Sequence, residues 1–225
     1  MQGRRNERRR DPGMAEGTLS KQTQKILKSK GFPLIYLHEC GDDISSFSKA
    51  LGNAVDYNTF GPFVSKHTPE DLRESRALTF LSRDRMAGIA VWPDGNIGAA
   101  FNDRRSRNRK AIGELMLTAL SAGGNKLDCF DGFLRRAYAK FGFTPVARVK
   151  FDWNYAPENW QKKFKEPDVI FWVHCGDPVE LVAKKINSYP TYNQEYVNSL
   201  RYFDSYEAAY QYRDDLLAEN IRLSL

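Results

Sequence analysis

IGAAFNDRRSRNRKAIGELML, from Ile97 to Leu117, decides the reading of this chain. Ile97–Phe101 is short, apolar and β-prone. The next nine residues carry Arg104, Arg105, Arg107, Arg109 and Lys110 against one acid, Asp103. From Lys110 to Leu120 apolar residues fall at 112, 115, 116, 119 and 120, the spacing of a helix with one face on a sheet. A strand, a basic turn and a helix make an anion cradle: first-turn amides are free, the helix dipole points its positive end outward, and guanidinium groups add charge. Gly113 would let phosphates approach the backbone closely. A solvated helix start reads the same way, so the turn by itself leaves both readings open.

Working outward, Ala77–Leu81, Met86–Trp92 and Ile97–Phe101 form an antiparallel meander, broken by Arg83-Asp84 and Pro93-Asp94-Gly95. Upstream, Phe32–Leu37 (FPLIYL) predicts the first strand and Ile44–Leu51 a helix, while 56–72 reads as a long loop or short helical pieces. Downstream, Gly123-Gly124 ends the central helix. A strand at Lys126–Phe130, a helix at Phe133–Phe141, a strand at Pro145–Phe151, an aromatic loop at Tyr155–Trp160 and a strand at Val169–His174 follow. The tyrosine-rich tail ends in a helix over Ser205–Asn220, with Asp204-Ser-Tyr-Glu207 read as its capping box.

The net charge of +6 belongs to one end. Residues 1–30 hold nine basic and three acidic residues, leaving 25 of each in the other 195. Attraction to nucleic acid is therefore expected only through a basic arm, and the body is neutral. The arm, 1–31, reads as disordered with a short helix near 20–30; a domain follows over 32–176 and a partly helical extension over 177–225. Three scattered cysteines, Cys40, Cys129 and Cys175, fit no disulfide or metal framework, and His38, His67 and His174 have no metal-ligand spacing. No apolar run approaches a membrane span, so the expectation is a cytoplasmic protein without membrane contact.

Two motifs resemble the GNAT acetyltransferase superfamily. The turn before Gly113 and Met116-Leu117 is similar to its pyrophosphate motif, with Ala111 where the family has an earlier glycine and Asn108, between Arg107 and Arg109, where it has Arg or Gln. Ala137-Tyr138-Ala-Lys-Phe-Gly142-Phe143 is similar to its Leu-Tyr-x-x-x-Gly-Phe segment with the spacing kept. The wider stretch from 98 to 175 resembles GNAT-like proteins encoded by bacteriophages and prophages. The resemblance implies an α/β fold with a mixed, mostly antiparallel central sheet flanked by helices. It implies acetyl-CoA held at Ala100, Phe101, Asn102, Arg107, Asn108, Arg109, Lys110, Ala111 and Gly113, with Tyr138 as general acid. Asp128 and Asp131, at the carboxyl end of a strand facing that crevice, are candidates to deprotonate or position the amine, and Asp131 also reads as a helix cap.

The leading expectation is transfer of an acetyl group to an amine of a small molecule, a protein lysine or an N-terminus, in the host cytoplasm if the chain is phage-encoded. One alternative is a degenerate GNAT scaffold that binds a host protein or the virion; another is an acetyltransferase acting on tRNA or nucleic acid. A homodimer is compatible with all three.

Overall fold

The structure, a computed structural model, describes residues 19–157 and 160–223. The arginine cluster Arg4–Arg10 and the loop residues Glu158 and Asn159 lie outside the described residues.

The helices are α1 (Lys21–Ser29), α2 (Ile44–Tyr57), α3 (Pro69–Glu74), α4 (Ile112–Ser121), α5 (Leu134–Ala139), α6 (Val179–Lys185), α7 (Gln194–Ser199) and α8 (Tyr206–Leu223). The strands are β1 (Leu37–Glu39), β2 (Leu78–Ser82), β3 (Ala87–Val91), β4 (Asn96–Asn102), β5 (Lys126–Phe130), β6 (Phe143–Val149), β7 (Val169–His174) and β8 (Arg201–Phe203). They form one sheet in the order β1-β2-β3-β4-β5-β7-β6-β8, antiparallel except at β4/β5 and β6/β8. This is an α/β fold with a mixed, mostly antiparallel sheet flanked by helices and a helical carboxyl-terminal extension, as the GNAT-like reading expects.

Strand pleating divides the core in two. Ile89 and Val91 of β3, Ile97 of β4, Leu127 of β5 and Trp172 of β7 pack with Leu115, Met116 and Ala119 of α4 on one face. On the other face Ala90, Ala99 and Phe101 meet Phe47, Leu51 and Ala54 of α2. β3 is buried at every position, which is why its sequence runs apolar without alternation. After α4 the chain turns at Gly123 (φ 95°), whose amide reaches Leu120 O at 3.1 Å while that of Gly124 reaches Ala119 O at 2.9 Å.

Several boundaries move, each for a local reason. The strand expected at Phe32–Leu37 begins only at Leu37, because the amides of Ile35, Tyr36 and Leu37 donate to the Glu114 carboxylate. The helix expected to stop at Leu51 runs on to Tyr57, since Ala54 and Val55 extend its buried face. The expected capping box at Asp204–Glu207 is instead a Ser205 cap, the hydroxyl accepting from the Ala208 amide at 3.2 Å. The helix near 20–30 is α1, with Leu27 fully buried, so this part of the basic segment belongs to the folded body. The tyrosine-rich extension adds β8 beside β6 and lays α8 over Ala147 and Phe171.

Candidate functional site

β4 and β5 run side by side for only two residue pairs, Asn96 with Lys126 and Ile97 with Leu127. Beyond them β4 stays on β3 and β5 on β7, so the sheet parts in the middle. A bulge lies at the start of that parting: Ala99 and Ala100 together oppose Ile89, and Ala99 adopts φ 47°. The Asp103 amide reaches across to Met86 O at 2.7 Å, so the Asn102 amide, one residue earlier, turns to the opposite edge, toward the parting. Of the expected β4 residues, Ala100 and Asn102 are half-buried. The Phe101 ring is committed to the core against Phe47, at 5.6 Å.

The basic turn is partly self-bound. Buried Asp103 accepts from the amide of Arg105 at 2.8 Å and from its guanidinium at 2.9 and 2.5 Å, and Arg105 also stacks on Tyr57 at 4.0 Å. That contact holds the Asp103 carboxyl below the usual carboxylate range. Ser106 caps the Asn108 amide at 3.1 Å, and the Asn108 carbonyl accepts from Asn102 Nδ2 at 2.9 Å. Asn108 therefore braces the turn. Arg107 and Arg109 are exposed and have no ion-pair partner among the described residues, and Lys110 makes only a long contact of 3.4 Å to Gly31 O. Among the described residues the amides of Arg109, Lys110, Ala111 and Ile112 also find no acceptor. Cations and free amides thus share one end of α4.

Gly113 plays a different part from the one its sequence suggests. A Cβ there would lie 2.5 Å from Phe32 Cδ1, so its bare face admits that ring, and its amide donates to Lys110 O at 3.4 Å. Next to it, Glu114 is buried and accepts from the amides of Ile35 at 2.5 Å, Tyr36 at 3.3 Å and Leu37 at 3.0 Å. The segment 31–37 is thereby strapped across the start of α4.

The catalytic candidates are not brought together. Tyr138 lies buried on the α4 face, its ring 6.1 Å from Trp172 and 6.4 Å from Phe143. Burial raises its pKa, with the nearby Cys129 and Asp128 adding to the rise, so the phenol stays protonated. Asp128 alternates with Leu127 along β5 and faces the other side, under α8, with Arg213 at 3.9 Å. Burial raises its pKa against the opposing pull of Arg213 and Tyr206. Asp131 is held in the loop, accepting from Gln194 at 2.9 Å and pairing with Arg135 at 3.3 Å. It does not cap α5, whose first-turn amides receive no side-chain bond.

The rings form a layer that no single segment announces. Phe63, after α2, meets Phe130 at the end of β5 at 5.3 Å, and Phe60 meets Phe133 at 5.1 Å. Trp160 and Phe164 complete the group, Trp160 lying 4.8 Å from Phe130 and Phe164 5.2 Å from Phe63. These rings connect the α2 side of β4 to the end of β5, across the mouth of the parting. Trp160, at the end of the Tyr155–Trp160 loop, joins this layer, whereas Trp153 stands outward, bonded to Glu166 at 2.9 Å.

His174 and Cys175 do not form a nucleophilic pair. The Gly176 amide donates to His174 Nδ1 at 3.2 Å, which leaves the proton on Nε2, the nitrogen 3.9 Å from the thiol. Burial lowers the His174 pKa to about 4, against Asp177, and raises that of Cys175. Among the described residues no cluster suits a metal ion and no helix is long and apolar enough to cross a membrane. No family model matches the chain, and neither a curated protein nor a solved structure matches it.

Proposed function

We propose that the chain is an acyl-coenzyme A-dependent N-acyltransferase that moves an acetyl group from acetyl-CoA to an amine. The carrying observation is the parting of β4 from β5, with its bulged edge leading into a turn where Arg107, Arg109 and the amides of Arg109–Ile112 remain unengaged among the described residues and Lys110 is held only by its long contact to Gly31 O. In this reading the turn grips the diphosphate, and the β4 edge around Ala100–Asn102 orients and polarises the thioester carbonyl. Acetyl-CoA supplies an activated acyl carbon: a C–N bond forms as the C–S bond breaks, Tyr138 donates its proton to the leaving sulfur, and the proton shed by the nitrogen restores the phenol through solvent. Asp128 is engaged by Arg213 and Asp131 by Arg135, so the amine arrives neutral and alignment supplies most of the rate. Thiol release from acetyl-CoA with a panel of small amines and lysine peptides tests the reading. Amine-dependent release that slows in Tyr138→Phe supports it; no release with any amine speaks against it.

A second reading has its own observation. Rings of Phe60, Phe63, Phe130 and Phe133 bridge the mouth of the parting, and Phe32 fills the space over Gly113. A scaffold that had given up catalysis to bind a host protein or the virion would tolerate both. That reading predicts no interaction with coenzyme A.

A further inference from the structure

The ring layer ends in an exposed surface that the acyl-transfer reading does not use. Phe60 is 48% and Phe133 57% exposed, and the two meet at 5.1 Å although one follows α2 and the other precedes α5. Tyr57, 50% exposed, lies three residues before Phe60 and carries the Arg105 guanidinium on its face. Large rings held half in solvent on separate loops cost hydration free energy that a buried position would recover.

Cations flank these rings. Asn58 Oδ1 accepts from the Arg104 amide at 2.7 Å, which fixes the basic turn beside Phe60. Lys163 Nζ lies 5.1 Å above Phe164, itself 6.0 Å from Phe60, with Lys162 and Lys165 exposed on either side. Arg104, Lys162, Lys163 and Lys165 form no ion pair among the described residues. Two of the local acids are paired, Asp56 with Lys66 and Asp103 with Arg105, while Glu166 accepts from the Trp153 indole and keeps its charge. A cluster of half-exposed rings flanked by cations that form no ion pair matches a ligand that alternates flat apolar bases with negative charge.

We infer that this face binds single-stranded nucleic acid, bases stacking on Phe60 and Phe133 and phosphates meeting Arg104, Lys162, Lys163 and Lys165. The proposal differs from binding through the basic arm and stands apart from the acyl-transfer reading, whose cations are Arg107, Arg109 and Lys110. Stacking carries the recognition, so base sequence matters little and affinity falls as salt rises.

The test is fluorescence anisotropy of a labelled thymidine dodecamer with the full chain, heparin and a poly-glutamate peptide serving as polyanions without bases. The expected result is saturable binding at low salt that Phe133→Ala weakens about tenfold. The same substitution leaves heparin binding unchanged, and Lys162→Gln with Lys163→Gln flattens the salt slope. Phe133 is mostly exposed, and an unchanged melting curve verifies that the variant is folded. No binding, oligonucleotide binding that Phe133→Ala leaves intact, or ring-dependent binding of the peptide instead of the oligonucleotide would each overturn the inference. The second of these outcomes would assign the binding to charge alone, the third to an acidic protein partner.

Discussion

Gly113 and Phe32 are in contact across the start of α4, so close that one methyl group on Gly113 would sit 2.5 Å from the ring. Gly113→Ala must therefore displace Phe32 or tilt the helix, at a cost of about 1–3 kcal/mol. Trimming the ring removes the two nearest contacts, at 2.5 and 2.7 Å, and leaves Phe32 Cβ at 2.9 Å, so Phe32→Ala with Gly113→Ala costs less than the sum of the two single changes. Urea denaturation of the four proteins in the cycle measures this, and strict additivity would show that the contact does not matter.

Glu114 makes the second tie to the same segment. Tyr36, held at φ 55°, helps turn three successive amides toward one carboxylate. Glu114→Gln removes the charge and sets an NH2 group among donors, which costs about 2 kcal/mol. Hydrogen exchange at Ile35 and Leu37 accelerates ahead of global unfolding if the carboxylate is the anchor.

His174 gives the fold an acid-side pH dependence. Its pKa falls from 6.5 when unfolded to about 4 in the native state, so between these values the unfolded chain binds the extra proton. Stability from this group is complete above pH 6.5 and is lost as pH falls toward 4, with a total of about 3 kcal/mol. His174→Gln flattens the stability profile across that window, as denaturant melts at several pH values will show.

Lys126 ties α8 to the sheet. Its buried ammonium lies 2.7 Å from Asp214 on α8 and 3.0 Å from Asp94 in the β3–β4 turn. Burial alone would lower its pKa, but Asp214 and Asp94 more than offset that and raise it. Lys126→Met takes one cation from two carboxylates that water partly reaches, leaving Asp214 with Arg213 and Asp94 with the Tyr210 hydroxyl, at a cost of about 2 kcal/mol. Exchange protection should drop most along α8; uniform loss would show a general effect on the core.

How much of this was legible in the chain follows the range of each interaction. Lys126–Phe130 and Val169–His174 were placed to the residue because short apolar runs between turn signals read locally. The helix at α4 followed from its spacing, and the turn before it from its charge. β8, α6 and α7 have no legible signal: three strand residues, two of them exposed, leave no pattern, and α6 and α7 are too short to show a period. At the site, a lone glycine in a helix cannot announce what fills its missing side chain, and Phe32 is 81 positions away. The Glu114 tie spans 77–79 positions, and the ring layer draws on three separate segments, so neither has a local signature. Asp103 beside Arg105 was the one readable sign that part of the basic turn would bind itself.

Titration calorimetry of the full chain with acetyl-CoA tests the central claim most directly. Saturable heat is expected, weakened about tenfold or more by Arg107→Ala with Arg109→Ala and unaffected by Lys184→Ala, whose exposed side chain pairs with Glu180 within α6. No heat at millimolar acetyl-CoA, or equal affinity in the doubly substituted protein, would contradict the assignment of the turn between β4 and α4 as a diphosphate site.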